Sequence, residues 1–262
     1  MNHLSRSRPR SLRRAGFTIL ELLVVVAVIL ILAALSFQVM KSIYQKANLA
    51  RATGKISDLG AAFVGYTADS GGLLPMENFS GSGDGWDAAE DPAAQEVWYN
   101  ALPASMGSRS VGEIGAANQP EAFYDDSYPI FVPGAPYPAG EKKYKKPMYA
   151  IGMNSRLQRT DDESGIKERG TLVSIQVPIN TVVFLERGMP KDKKIVGSQA
   201  NFTATPKASP KAFAGRHNQK GLLLFADGHV EVRSVLDLLT PGGEVIIQEG
   251  IIWTRDPLDN PN

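Results

Sequence analysis

Three residues in the C-terminal third of the chain carry side chains suited to metal or acid–base chemistry. Nine residues separate His217 from the pair Asp227-Gly228, and His229 follows that pair directly. Imidazole and carboxylate groups bind divalent cations of the zinc type. The same groups also hydrogen-bond turns and neighbouring strands, so His217 could instead hold its strand in register. We expect the structural role, with a divalent cation site as the alternative.

Several other kinds of active site are excluded by composition and motif. The 262 residues include no Cys, so disulfides, thiolate metal sites, cysteine nucleophiles and lipid-modified cysteines are all ruled out. There is no Gly-x-x-x-x-Gly-Lys-Ser/Thr phosphate loop, no Gly-x-Ser-x-Gly elbow and no His-Glu-x-x-His pair. Lysine runs at 142–146 and 191–194 are interpreted as solvated loops, because the net charge is only +1. We therefore expect no cofactor and no nucleic-acid partner.

The N-terminus is strongly asymmetric in charge and hydropathy. Residues 1–16 contain five Arg and no acid, and an apolar run follows at 17–40 in which Glu21 is the single charge. The uncharged part of that run, 22–40, would span roughly 28 Å as a helix, close to the ~30 Å hydrocarbon core of a bilayer. Because basic residues stay on the cytoplasmic side, the pattern predicts a single-pass membrane protein with its leader in the cytoplasm and the chain after residue 40 outside it.

A lone carboxylate inside such an apolar run is energetically unfavourable. It costs on the order of 2.5–3.5 kcal/mol at the centre of a membrane helix, so Glu21 is expected to have a function or a partner. The alternative is that it lies near the helix end and reaches the headgroups. An ordinary cleaved secretory signal, cut near residues 34–36, is a second alternative for the whole segment.

After residue 40 the helical pattern becomes amphipathic. Apolar residues recur at spacings of three and four, which predicts one continuous helix to about residue 66 and a turn at 69–72. The predicted organisation is a leader at 1–16, a membrane helix at 17–40, an amphipathic continuation at 41–68 and a globular α+β domain at 69–262. The buried stripe of the continuation is predicted to comprise Leu49, Ala52, Ile56, Leu59, Phe63 and Tyr66.

Strand signals are strongest towards the C-terminus. Two β-prone runs separated by Asp227-Gly228 predict a hairpin over 222–232 with a two-residue turn. Further strands are predicted at 147–154 and 181–186, with weaker signals at 128–132 and 244–253, and a short helix is predicted within 96–106. The predicted fold is a long N-terminal transmembrane helix packed on an antiparallel β-sheet with irregular loops.

Residues 14–22, Arg-Ala-Gly-Phe-Thr-Ile-Leu-Glu-Leu, resemble the signature of type IV prepilins and type II secretion pseudopilins. The resemblance implies a pilin-like fold and cleavage between Gly16 and Phe17 by a prepilin peptidase, which also methylates the new N-terminal Phe17. In a filament of parallel apolar helices, a buried Glu21 must be paired or neutralised. The free amine of a neighbouring subunit's Phe17 would provide that pairing.

The His-x9-Asp-Gly spacing at 217–228 resembles a motif in a pseudopilin-like subfamily of planctomycete and verrucomicrobial bacteria. The resemblance implies a non-enzymatic subunit of a type II secretion or type IV pilus-like filament, present in the inner membrane and the periplasm. Its partners would be the prepilin peptidase, other pilin or pseudopilin subunits and the inner-membrane secretion platform. The alternative is an exported, membrane-anchored binding domain or metal-dependent enzyme that uses His217, Asp227 and His229.

Overall fold

The computed structural model describes residues 18–78, 85–160 and 167–259, and the chain divides into two units between Tyr44 and Gln45. The predicted leader, which ends at Gly16, and the following Phe17 lie outside the described residues. Helix α1 (Ile19–Asp69) contributes residues to both units. Its length is as the apolar and amphipathic patterns predict, and it ends at the Asp-Ser-Gly-Gly turn, where Gly71 and Gly72 adopt positive φ.

In the first unit, α1 carries an apolar surface with no protein cover. The segment Ile19–Ser36 has a mean hydropathy of 3.0 and none of it is buried. By length and composition it can cross a membrane. Leucine, isoleucine and valine side chains are exposed on every side of the helix.

In the second unit, the C-terminal half of α1 forms part of the hydrophobic core. Ala52, Ile56, Leu59 and Phe63 are buried, and Leu49 and Tyr66 pack against them at the margins. The stripe predicted from the sequence is therefore confirmed as core. Gly60 lets the helix approach the sheet closely, because a Cβ atom there would stand 2.7 Å from Leu224 Cδ1.

A five-stranded sheet forms the centre of the second unit. Its strand order is β5 (Lys207–Ala208), β1 (Ile151–Asn154), β4 (Val182–Glu186), β6 (Lys220–Phe225) and β7 (Val230–Ser234). Neighbouring strands are antiparallel except for β5, which pairs parallel to β1. The α+β prediction is confirmed, but the sheet is mixed rather than wholly antiparallel. A parallel pairing needs a long crossover connection, and more than fifty residues separate β1 from β5. Two further strands, β2 (Arg159–Thr160) and β3 (Lys167–Glu168), form a separate antiparallel pair.

Both faces of the central strands are covered. Phe184, Leu222 and Leu224 belong to the core that includes α1, whereas Leu185 and Leu223 belong to a second core on the other face. This alternation follows from the period of two in a strand. The segment that ends at Trp253 supplies much of the second core.

The predicted C-terminal hairpin is present, but its turn differs from the prediction. Gly228 N–H donates to the Phe225 carbonyl at 2.9 Å, and Phe225 N–H donates to the His229 carbonyl at 3.0 Å. The loop therefore contains three residues, and Gly228 adopts a φ of +92°. A three-residue loop closed by a glycine in the left-handed region is the usual alternative to the two-residue turn. The strands also extend beyond 222–232 at both ends.

The helix predicted within 96–106 is confirmed as α3 (Trp98–Ser105). The two weaker strand predictions were wrong. Residues 128–132 form turns instead, because Pro129 and Pro133 have no N–H group to donate to a strand ladder. The run 244–253 makes only single bridges, because a turn at 248–251 interrupts it. The shorter helices are α2 (Trp86–Glu90), α3 (Trp98–Ser105), α4 (Val111–Ala116), α5 (Pro120–Phe123) and α6 (Val235–Leu238).

Candidate functional site

The first turn of α1 contains the carboxylate that the sequence singles out. Thr18 N–H and Oγ1 donate to Glu21 Oε2 at 2.9 and 3.0 Å, and Glu21 N–H donates to Thr18 Oγ1 at 3.2 Å. This reciprocal pattern is a capping box, in which two otherwise unsatisfied donors at a helix start are satisfied together. Glu21 therefore closes the N-terminus of the apolar helix.

The apolar helix that Glu21 caps presents a surface that is expected to be buried in a membrane or against another protein. Eighteen consecutive residues with no cover would expose a large contiguous apolar area to water, and such patches mark membrane or protein interaction sites. Backbone groups inside the helix are satisfied within it, which meets the requirement for a segment in hydrocarbon. Both lipid and parallel helices of other subunits offer a suitable environment.

His217 lies in a buried ionic network at the end of β4. Its Nε2 is 3.2 Å from Glu186 Oε1, and the Glu186 side chain has no exposed surface. Arg216 Nη1 lies 3.4 Å from the same oxygen, and Leu222 N–H donates to Glu186 Oε2 at 3.0 Å. Glu186 thereby joins β4 to the segment that enters β6.

Arg216 extends this network in the opposite direction. Its Nη2 bonds Asp192 Oδ2 at 2.6 Å and also the Arg187 carbonyl, while Nη1 donates to the Ala150 carbonyl at 3.2 Å. The Arg216 side chain is only 3% exposed. Such a pair stabilises the fold only while both charges remain matched, because removing one leaves a buried charge uncompensated. Burial lowers the pKa of the neighbouring Arg187 to about 10, so its guanidinium stays charged at neutral pH.

Asp227 and His229 form a separate pair at the hairpin tip. His229 Nδ1 lies 2.6 Å from Asp227 Oδ1, and the imidazole stacks on the Phe225 ring with centroids 4.3 Å apart. Both side chains are about one-third exposed, and Glu231 Oε1 is 3.7 Å from His229 Nε2. The pair fixes the conformation of the turn.

The structure does not bring the three predicted residues together. His217 precedes β6 and Asp227 follows it, and a six-residue strand is about 20 Å long. Within residues 18–78, 85–160 and 167–259, no group of three His, Asp or Glu side chains could hold a metal ion. His217, Asp227 and His229 therefore make two distant sets of hydrogen bonds, which favours their structural interpretation.

The similarity to a known family lies in a motif near the start of the chain. Residues 11–37 match the family model of the prokaryotic N-terminal methylation motif. The match covers Gly16, Phe17 and Glu21 and continues into the exposed apolar helix. No curated protein and no solved structure matches the chain.

The methylation motif indicates a prepilin-like protein that is processed at its N-terminus. It implies processing by a prepilin peptidase and assembly with other pilin-type subunits, and it is typical of structural subunits. Together with one helix able to span a membrane, it indicates a membrane-anchored, single-pass chain. Gly16 and Phe17, the predicted processing residues, lie outside the described part of the structure.

Sequence reasoning missed Glu186 and Arg216, the two charged centres of the buried network. The available signal was Glu186 itself, a carboxylate at the end of the apolar run 181–185. A charge at that position of a strand covered on both faces needs a buried partner. Nothing in the sequence identifies Arg216 as that partner, since thirty positions separate the two.

Proposed function

We propose that this chain is a pseudopilin-like structural subunit that assembles through its N-terminal helix into a type II secretion or type IV pilus-like filament. The observation that supports the proposal most directly is the methylation motif at 11–37, placed at the head of an apolar helix with no protein cover. In the proposed pathway the precursor inserts into the inner membrane with its leader in the cytoplasm. The domain after α1 lies in the periplasm.

Processing is proposed to occur between Gly16 and Phe17, followed by methylation of Phe17. Cleavage removes five arginines and leaves an amine two positions before the helix. A cationic leader resists transfer across the hydrocarbon core, so its removal lets the helix leave the bilayer. The partners at this stage are the prepilin peptidase and then the inner-membrane secretion platform.

Glu21 is proposed to set the register between subunits. Its Oε2 already accepts from Thr18, and the exposed carboxylate can be approached by a cation. The amine of Phe17 on a neighbouring subunit provides that cation in a low-dielectric environment, where an ion pair is strong and a lone charge is costly.

The decisive experiment is mass spectrometry of the N-terminus of the chain recovered from membranes. We expect a mature chain beginning at methylated Phe17, and we expect Gly16→Leu to leave the precursor uncut. Gly65→Ala is the matched control, because a Cβ atom at Gly65 meets nothing within 4 Å. An intact start at Met1 or a start at Phe37 would contradict the proposal.

A further inference from the structure

A polar cavity of about 490 Å³ lies beside the buried ionic network, in the second unit of the chain. Arg216 lines it from within, and its rim carries lysine and amide side chains that make no hydrogen bond to another described residue. Such a volume holds a small ligand. The rim side chains are Gln45, Lys191, Lys193, Asn218 and Gln219.

The side chains that line this cavity carry more positive than negative charge. Asp192 is the one carboxylate in the lining, and it is engaged by Arg216 Nη2 at 2.6 Å and by the Met189 N–H at 2.8 Å. Arg216 Nε is buried and has no hydrogen-bond partner among the described residues. Lys191 and Lys193 are exposed on either side of Asp192.

Two of the three rim amides, Asn218 and Gln219, lie in a tight turn. His217 and Lys220 exchange backbone hydrogen bonds of 2.9 and 3.2 Å, and the two residues between them have φ values of +55° and +66°. This is a two-residue turn with both central residues in the left-handed region, where glycine is strongly preferred at the second position. Gln219 occupies that position, and backbone strain of this kind is concentrated at functional sites.

From these features we infer that the cavity binds a small oxyanion, the phosphate or carboxylate group of a ligand. Lysine ammonium groups and amide N–H groups both donate hydrogen bonds to such a group, and because the oxyanion is charged these bonds are charge-assisted and stronger than neutral ones. The ligand would contact Lys191 and Lys193, which line the cavity together with Arg216 and Gln219. The inference does not depend on filament assembly.

Binding is tested by calorimetry on the full chain in detergent, with inorganic phosphate and citrate as probes at constant ionic strength. We expect Lys191→Ala/Lys193→Ala to weaken binding about tenfold or more, the usual effect of losing charge-assisted contacts. The control is Lys142→Ala/Lys145→Ala, which removes two exposed lysines from another loop. Binding of only one probe supports the site and identifies the group.

A second variant separates binding from folding. Gln219→Gly removes a rim amide but relieves the positive φ, so it should raise the unfolding temperature while weakening phosphate or citrate binding severalfold. Opposite changes in stability and affinity cannot arise from misfolding. Absence of binding to the unaltered chain, or equal losses in both lysine variants, would overturn the inference. So would unchanged affinity in Gln219→Gly.

Discussion

The backbone of Gly60 in α1 lies directly against Gly228 in the turn between β6 and β7. A Cβ atom at position 60 would stand 2.8 Å from the Gly228 carbonyl oxygen and 2.7 Å from Leu224 Cδ1. The close approach of helix to hairpin therefore depends on glycine in the helix.

Gly60→Ala should destabilise the globular unit by about 1–3 kcal/mol, because the added methyl overpacks a contact that includes backbone. Gly65→Ala is the matched control, in open space on the same helix, and should stabilise by about 1 kcal/mol through helix propensity. Urea unfolding of the full chain in detergent, followed by fluorescence of the buried Trp98 and Trp253, measures both. Equal effects of the two substitutions would refute the close contact.

Glu186→Gln should cost about 3–5 kcal/mol, because it leaves the buried Arg216 guanidinium facing a neutral amide. Asp126→Asn breaks the exposed pair between Arg51 and Asp126, whose side chains are 53% and 51% exposed, and should cost about 1 kcal/mol or less. The same urea titration compares them. A loss below 1 kcal/mol for Glu186→Gln would show that the network contributes little to the fold.

The His-x9-Asp-Gly residues should act through the fold and not through a metal. His217→Ala removes a buried partner of Glu186 and should cost about 1–3 kcal/mol, whereas His229→Ala, one-third exposed, should cost about 1 kcal/mol or less. Adding EDTA should leave the unfolding temperature unchanged. A fall in that temperature on chelation, restored by Zn²⁺, would favour the cation site instead.

Glu21→Ala should leave membrane insertion intact and impair incorporation into filaments. The apolar segment keeps its length, but the cap and the proposed partner of the Phe17 amine are both lost. Thr18→Ser is the control, since serine preserves the capping box. Co-expression with the unaltered chain and analysis of sheared filaments measures incorporation. If Glu21→Ala co-assembles at the normal level, the ion pair has no role.

Local patterns account for the parts of the fold that were predicted. The apolar spacing along α1 and the turn residues after it define the helix from neighbouring positions alone, and two β-prone runs around Asp227-Gly228 define the hairpin. Such signals act over a few residues, so they can be read without the tertiary structure.

Long-range pairings account for what was missed. The parallel addition of β5 to β1 and the ion pair of Glu186 with Arg216 join residues thirty or more positions apart. The length of the Gly228 loop is decided by the register in which β6 and β7 settle. Residues 128–132 form turns despite their strand propensity, and Tyr128 and Ile130 are buried in these turns.

The capping box at Thr18 has a consequence for the timing of maturation. Leu22 N–H donates to the Thr18 carbonyl at 3.2 Å, and the cap is formed by Thr18 and Glu21. The proposed cleavage between Gly16 and Phe17 would break none of these bonds. This turn of α1 would therefore have the same hydrogen bonds in the precursor and in the mature chain. On this proposal, processing changes the charge that precedes the helix and leaves the first described turn unaltered.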